Sequence, residues 1–315
     1  MAKFAIIPDT ACDLTKDLRE KYGIEDYLHG VLIYPDGSEH LADLDWENMS
    51  ADEFFGSMKG GKTIYNTATP KEGEVREVFE KHLKAGEDIL NICLSSGLSG
   101  IYQMHSRIAE ELSAKYPERK IIVVDSLRYS TSLALVVIDA CKARAEGKTI
   151  EETAALVEET KKTVHQMGSM TDMFFLVKKG RVSNFKAFFG QLVGMNLMAD
   201  FSDVNGMSEV IGRVKGPKDA MKASVEYMKI IGRDLKDQTI FVAHSNRRPT
   251  AELLKSLIEE EIGPKEVIIN DVGQACGANI GPGLCAAYFH GAPVSEGLKD
   301  EREAMAKIIE GLKKK

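Results

Sequence analysis

The sequence lacks the features that mark several large classes of protein. It contains no run of about 18 consecutive apolar residues, so neither a transmembrane helix nor stable membrane insertion is expected. Its first residues lead directly into a short strand and Asp9, which leaves no room for the apolar core of a signal peptide. Lys and Arg are scattered and the formal net charge is -7, which argues against a nucleic-acid or anionic-membrane partner. These absences favour a cytoplasmic protein.

Few residues are arranged for metal, redox or nucleotide chemistry. The five cysteines include no C-x-x-C pair and no Cys/His cluster at zinc spacing, so we predict buried, reduced thiols, no metal site and no cofactor. The patterns G-x-x-x-x-G-K-[ST], G-x-G-x-x-G and H-E-x-x-H are missing. A G-x-S-x-G elbow is not formed at Gly97–Ile101, where the second glycine comes one place too early. No catalytic residue is therefore assigned.

What the sequence does contain is the composition of an ordinary globular protein. Its 315 residues, 43% hydrophobic and 28% charged, are enough for two domains with sizeable cores. Strand and helix patterns alternate from residue 3 to about residue 145, which is typical of a parallel sheet in an α/β protein. We predict a Rossmann-like N-terminal domain followed by a second α/β domain with a mixed sheet.

The boundary between the two domains is placed near the end of a predicted helix, Ile150–Met167, which gives domains 1–167 and 168–315. An aromatic-rich helix is expected at Phe185–Leu192. Apolar runs predict strands in the second domain at Met173–Val177, Ser208–Val214, Thr239–Ala243 and Val267–Ile269.

The stretch Leu94–Tyr102 is the strongest candidate for a binding site. It follows an apolar strand, Ile89–Leu94, and precedes a helix with apolar residues at helical spacing. A strand-to-helix turn of this kind offers backbone N–H groups and the positive end of a helix dipole to an anion. Three serines add hydroxyl groups, and two glycines let a ligand approach. The alternative interpretation is an ordinary Ser/Gly turn in which Ser99 caps the helix.

Two other polar segments also follow or precede predicted elements. Asp9 ends the first strand and can orient a hydroxyl near a ligand, or it caps the helix predicted at Leu14–Tyr22. Thr69 fits the N-cap of a helix, with Glu72 closing a capping box, whereas Thr67 has no such role. The hydroxyl of Thr67 is therefore a candidate ligand contact.

In the second domain, two charged or titratable residues stand out. Arg181 has the planar fork that suits a carboxylate or phosphate, and it lies either at such an anion or in a solvated basic loop. His244 follows the strand Thr239–Ala243, where it acts as a base or, more commonly for a lone histidine, serves the structure.

Several of these segments resemble the motifs of the DegV family, which are bacterial fatty-acid-binding proteins. The central stretch resembles the family signature S-S-x-L-S-G-x-Y-Q, and Asp9–Leu14 resembles D-[ST]-x-x-D-L. His244–Asn246 and Gly277–Gly283 resemble two later motifs. The resemblance implies a DegV-like, two-domain fold in which domain 1–167 encloses an acyl chain and domain 168–315 closes the head-group cleft.

The resemblance also implies roles for individual residues. Thr67 and Ser99 are expected to hold the carboxylate of a fatty acid, with Ser96 and Asn279 assisting. Asn279 stands where relatives have a histidine; it can donate a hydrogen bond but cannot carry charge. Arg181, His244 and Asp9 are expected as interface or anion contacts. No metal ligand and no catalytic residue is implied.

The function implied is non-enzymatic binding of a long-chain fatty acid, such as palmitate, and its presentation to a separate fatty acid kinase for phospholipid synthesis. Two alternatives from other classes remain open. One is a serine-dependent hydrolase or acyltransferase that uses Ser96 or Ser99 as nucleophile. The other is a protein-interaction or regulatory module. Chain length, saturation and oligomeric state are not encoded in these motifs.

Overall fold

The computed structural model describes residues 3–183 and 194–313. Its strands are β1 (Phe4–Pro8), β2 (Val31–Ile33), β3 (Glu39–Leu41), β4 (Asn66–Ala68), β5 (Asp88–Cys93), β6 (Ile121–Asp125), β7 (Val164–Met170), β8 (Val182–Ser183), β9 (Met195–Phe201), β10 (Ser208–Lys215), β11 (Thr239–His244), β12 (Glu266–Asp271) and β13 (Leu284–His290). Its helices are α1 (Lys16–Tyr22), α2 (Ala51–Met58), α3 (Glu72–Lys84), α4 (Ile101–Lys115), α5 (Thr131–Ala145), α6 (Ile150–Thr160), α7 (Phe174–Lys179), α8 (Pro217–Ile231), α9 (Arg248–Glu261), α10 (Gln274–Ile280) and α11 (Lys299–Lys313).

The chain divides into two compact units, each built from more than one segment. The first unit consists of the residues up to Asn48, Tyr65–Lys161 and Gly273–Cys276. The second consists of Met49–Ile64, Lys162–Val272 and the residues from Gly277 onward.

The first unit contains the predicted parallel sheet, in the order β1-β5-β6. Strand β5 lies in the middle and is buried along its whole length, as its apolar sequence predicts. Helices α3 and α4 pack on one face, where Val75, Phe79 and Ile108 join Ile7 and Ile89 in a shared core. A small antiparallel sheet, β3-β2-β4, belongs to the same unit.

The second unit contains a mixed sheet in the order β12-β11-β13-β7-β9-β10-β8. Alternate residues of its strands, such as Cys285, Ala287 and Phe289 of β13, form a core with helices α8, α9 and α11. Strands β11 and β12 run parallel to one another, and β13 pairs with β11 in the antiparallel direction. The prediction of a second, mixed α/β region is confirmed.

The helix predicted over Ile150–Met167 is too long. Helix α6 ends at Thr160, and the following residues form the buried strand β7. Polar residues in this strand interrupt the apolar pattern that would predict a buried strand. They are buried because distant segments supply their hydrogen-bond partners: His165 bonds Asp200, and Gln166 bonds Ser208. Such partners cannot be recognised from local sequence.

The strand predicted at Met173–Val177 is a short helix, α7. The carboxylate of Asp172 accepts a hydrogen bond from the N–H of Phe174 at 2.8 Å, which starts the helical turn. Gly180 ends the helix in the left-handed conformation, with φ of 65°. An apolar run of five residues does not by itself distinguish helix from strand. The helix expected at Phe185–Leu192 lies outside the described residues.

Candidate functional site

In the first unit, the loops at the carboxyl ends of β1, β5 and β6 carry the polar residues that the sequence singles out. Three non-glycine residues in the loops after β1 and β6 have left-handed backbones, namely Asp13, Leu127 and Ser130, with φ between 50° and 54°. The hydroxyl of Ser130 donates to the carboxylate of Asp13 and so links the two loops. Strained backbone persists only where its surroundings fix it, and such positions cluster at functional sites. This end of the sheet is therefore the candidate site.

The turn between β5 and α4 is fixed by hydrogen bonds to groups of the neighbouring loops. The N–H of Leu94 donates to Oδ2 of Asp9 at 2.8 Å, and the N–H of Ser95 donates to the carbonyl of Arg128 at 3.0 Å. The N–H of Ser96 donates to Oδ1 of Asp125 at 3.1 Å. These contacts fix the path of the turn before any ligand arrives.

The next three N–H groups bond within the turn itself. Gly97 donates to Oγ of Ser95 at 3.2 Å, and Leu98 and Ser99 donate to its carbonyl at 3.0 and 3.2 Å. The expectation that the turn offers these backbone donors to an anion is therefore wrong for residues 94–99. The donors that remain are those of the first turn of α4, which by helix geometry have no acceptor inside the helix. That end of the 15-residue helix also carries the positive end of its dipole.

The hydroxyl groups of Ser96 and Ser99 remain available. Both residues are half-buried, and within the described chain neither hydroxyl makes a hydrogen bond. Ser99 does not cap α4: the N-cap is Gly100, which makes no side-chain bond. The structural role proposed for Ser99 in the sequence is thus excluded, and two hydroxyls stand beside the helix N-terminus.

Asp9 supports this turn and does not cap α1, whose N-cap is Thr15. Its side chain is 1% exposed, and besides Leu94 it accepts the N–H of Ala11 at 2.8 Å. Burial raises the pKa of Asp9 to about 6, while the two backbone hydrogen bonds oppose that rise. Both oxygens are thus occupied within the protein, so Asp9 positions the turn.

Thr67 lies half-buried on β4, opposite Leu32 of β2. The same strand pair connects it to the loop after β1, because the N–H of Gly30 donates to Oγ1 of Thr10 at 2.9 Å. Thr10 follows Asp9 directly, so Thr67, Ser96 and the Asp9 loop belong to one connected region of the first unit. Thr69 does not cap α3 as expected, because the helix begins at Glu72 with Lys71 as N-cap.

The remaining predicted residues belong to the second unit. Asn279 is half-buried near the end of α10. Arg181 is exposed after α7 and donates to the carbonyl of Lys179 at 2.7 Å, which agrees with a solvated basic loop. His244 ends β11 and is 4% exposed.

The environment of His244 is unusual for a structural histidine. Its Nδ1 lies 3.3 Å from Oδ1 of Asp271, but neither ring nitrogen has a hydrogen-bond partner in the described part of the chain. Burial lowers the pKa of His244, and it raises the pKa of Asp271. A neutral imidazole with a weakly placed carboxylate is consistent with this geometry.

The buried groups beneath the 94–100 turn do not form a nucleophile. Sγ of Cys93 lies 3.0 Å from Oδ1 of Asn91 and 3.3 Å from Nδ1 of His105. Burial raises the pKa of the Cys93 thiol well above its usual value and lowers the pKa of His105 to about 4. The thiol is thus held protonated, and His105 contacts neither Ser96 nor Ser99 by a hydrogen bond.

The structure also assigns a role to Arg247, which sequence analysis missed. Its Nη1 donates to Oγ and the carbonyl of Ser169 at 2.8 and 3.2 Å, and to the carbonyl of Gly283 at 3.0 Å. The signal in the sequence is the pair Arg247–Arg248, which lies just after the buried strand β11 and at the start of a helix.

Two wider properties concern the described residues as a whole. No helix in residues 3–183 or 194–313 combines the length and apolarity needed to cross a bilayer. The same residues contain no group of three or more His, Cys, Asp or Glu side chains placed to hold a metal ion. All five cysteines are buried, as predicted.

The fold defines a two-unit α/β protein with a small parallel sheet in one unit and a mixed sheet in the other. Residues 3–291 match the family model described as "Uncharacterised protein, DegV family". A DegV domain-containing protein of Clostridium perfringens is 30% identical over 291 residues, which cover 92% of this chain and 98% of the relative. The chain belongs to the DegV family.

Solved structures of two other proteins show a similar fold. A DegV family protein from Thermus thermophilus, described as fatty acid binding, superposes with a TM-score of 0.82 at 21% identity, covering 92% of this chain and 99% of that one. A stearic acid-binding protein from Eubacterium ventriosum gives a TM-score of 0.79 at 16% identity, with 90% and 97% covered. At these identities the likeness establishes the fold.

Proposed function

We propose that this protein binds a long-chain fatty acid, such as palmitate, and does not transform it. The observation that carries the proposal is the pair of half-buried hydroxyls, Ser96 and Ser99, beside the N-terminus of α4. They donate to a carboxylate without a buried counter-charge, and the helix dipole favours its negative charge. The fatty acids named for the solved relatives from Thermus thermophilus and Eubacterium ventriosum support this choice of ligand.

In this proposal the head group lies at the carboxyl end of the parallel sheet. Thr67 and Ser99 hold the carboxylate, Ser96 and Asn279 assist, and Asp9 keeps the turn in place. The first unit encloses the acyl chain.

Most of the affinity comes from the acyl chain. Burying about fourteen methylene groups at roughly 0.8 kcal/mol each gives on the order of 11 kcal/mol before costs. Lost ligand freedom offsets several kcal/mol of this. The head group therefore needs only neutral donors, each worth about 1 kcal/mol, to orient the ligand.

The proposal extends to a partner, to which the protein presents its bound fatty acid. A carboxylate held by hydroxyls at the surface end of a sheet remains open to a phosphoryl donor, so the protein would serve a separate fatty acid kinase that feeds phospholipid synthesis. The exposed guanidinium of Arg181 is a contact for that kinase.

The test is solvent extraction of natively purified protein, with the lipid identified by mass spectrometry. We expect a near-stoichiometric long-chain fatty acid in the wild type and strong depletion in the double variant Thr67→Ala, Ser99→Ala. Ser113→Ala, a half-buried hydroxyl in the last turn of α4, is the matched control and keeps the ligand.

An empty extract, together with no binding of added C14–C18 acids, would contradict the proposal. Labelling of Ser96 or Ser99 by an acyl-phosphonate probe would then favour the serine hydrolase or acyltransferase.

A further inference from the structure

Arg247 occupies the loop between β11 and α9 in the second unit and is half-buried. One nitrogen, Nη1, makes all the side-chain hydrogen bonds that Arg247 forms with the described residues, to Ser169 and Gly283. These contacts fix the guanidinium plane. The other edge of the fork, Nε and Nη2, is left without a described acceptor.

The charge of Arg247 is also uncompensated. Within residues 3–183 and 194–313 no carboxylate lies within 4.0 Å of its guanidinium, whereas Arg19 pairs with Asp45 at 2.6 Å and Arg302 with Glu209 at 2.8 Å. Removing a charge from water without a partner is costly. Burial accordingly lowers the pKa of Arg247.

The surroundings of Arg247 are held in one arrangement. The carbonyl of Gly283 accepts from Arg247, while its N–H donates to the carbonyl of Ser245 at 2.9 Å. Gly283 has φ of 116°, and a Cβ there would lie 2.7 Å from Oγ1 of Thr171. Helix α9, of 14 residues, begins at the next residue, so the positive end of its dipole is adjacent. The neighbouring Arg248 is already paired with Glu252 at 2.6 Å.

We propose that Arg247 is the anion-binding residue of the second unit and that its Nε–Nη2 edge takes a small oxyanion, a carboxylate or a phosphoryl group. A planar fork fixed at one end matches two oxygens of such a group. This site does not depend on fatty-acid binding. It differs from the expectation for Arg181, whose exposed side chain bonds only its own loop in the described chain.

The test follows the arginine Nε–H resonances of the wild-type protein by NMR while inorganic phosphate or acetate is added at constant ionic strength. We expect a saturable shift of the Arg247 resonance with at least one of the two anions, and no saturable shift for Arg181. Stronger binding of phosphate assigns the phosphoryl source, and stronger binding of acetate assigns the carboxylate source.

Two matched variants complete the test. Arg247→Lys keeps the charge but loses the fork, so we expect about tenfold weaker binding of the preferred anion. Arg181→Lys should change it less than about twofold. An Arg247 resonance that moves no more than in a sodium chloride control overturns the proposal, even where Arg247→Lys fails to fold. Fatty-acid extraction is a separate readout, so either proposal can fail alone.

Discussion

The turn after β5 and the loop after β11 are built from the same parts but present different chemistry. Each follows a buried strand with a parallel neighbour and leads into a helix of 14 or 15 residues. In the first, carboxylates of Asp9 and Asp125 accept backbone N–H groups, and neutral hydroxyls remain. In the second, the guanidinium of Arg247 bonds backbone carbonyls, and part of its own fork remains.

Two loops of similar construction thus leave different chemical groups available to a ligand. In the first loop, the carboxylates of Asp9 and Asp125 accept backbone N–H groups, so the groups that we propose for a ligand carboxylate are uncharged hydroxyls and a helix N-terminus. In the second loop, the available group is the charged guanidinium of Arg247. The two loops should therefore respond differently to substitution.

The largest expected effect is on folding and compares Gly283, whose carbonyl accepts a hydrogen bond from Arg247, with Gly100 of the turn after β5. Gly283→Ala places a Cβ 2.7 Å from Oγ1 of Thr171 at a φ of 116°, so we expect a loss of about 3 kcal/mol or more in the free energy of unfolding. Gly100→Ala meets no atom within 4 Å and should cost about 1 kcal/mol or less. Urea unfolding measures both, and equal losses would contradict the close packing around Gly283.

The next effect concerns the ionisation of Asp9. Its pKa is about 6 in the folded protein against an ordinary value of 3.8 for an aspartate, so the folded state binds the proton more tightly. The contribution of Asp9 to stability is therefore present at low pH and is lost as pH rises from about 4 to about 6, by about 2 to 3 kcal/mol. Urea unfolding of wild type and Asp9→Asn across this range measures this contribution of Asp9 to the free energy of unfolding. A difference between the two proteins that is constant with pH would show that Asp9 does not titrate there.

A smaller effect separates two adjacent serines of the first loop. Ser95 is fully buried and its Oγ accepts the N–H of Gly97, so Ser95→Ala should cost about 1 to 2 kcal/mol of stability. Ser96→Ala should leave stability within about 0.5 kcal/mol and weaken fatty-acid affinity about fivefold, because its hydroxyl is proposed to donate to the ligand carboxylate. Thermal unfolding and fluorescent fatty-acid displacement measure the pair. Unchanged affinity in Ser96→Ala would remove that residue from the head-group site.

The smallest expected effect is on the pH dependence of fatty-acid affinity and concerns Asn279 of the second unit. Asn279 cannot gain charge, whereas a histidine there can. Asn279→His should therefore bind a fatty acid about threefold more tightly at pH 6.5 than at pH 8, beyond any change in the wild type. Displacement assays at both values check this. An identical pH dependence in the two proteins would place Asn279 away from the carboxylate.

The sequence predicts those parts of the fold that local patterns define. Strands β1, β5, β6 and β11 are mostly apolar runs and are recognisable without the structure. Helix α4 is recognisable by the helical spacing of its apolar residues. Strand β7 is not, because its His165 and Gln166 are buried only through partners about 35 to 42 residues away. Strand β13 was missed as well.

The candidate site is predictable in its residue types but not in its hydrogen bonds. Sequence places Ser96 and Ser99 at a strand-to-helix turn, and the structure agrees. It cannot foresee that the turn consumes its own N–H groups, that Gly100 takes the N-cap, or that Arg247 reaches Ser169 and Gly283. The contacts of Arg247 join segments far apart in the chain, whereas the bonds within the turn are local and depend on backbone angles that residue types alone do not fix.

The most direct test of the central claim is to locate the ligand head group. In the complex with palmitate labelled with 13C at C2, isotope-filtered NOE spectra report the protons near that carbon. We expect NOEs from C2 to the Thr67 methyl group, to the Ser96 and Ser99 β-protons, and to the first amides of α4. A complex in which C2 shows no NOE to any of these protons would contradict the proposed head-group site.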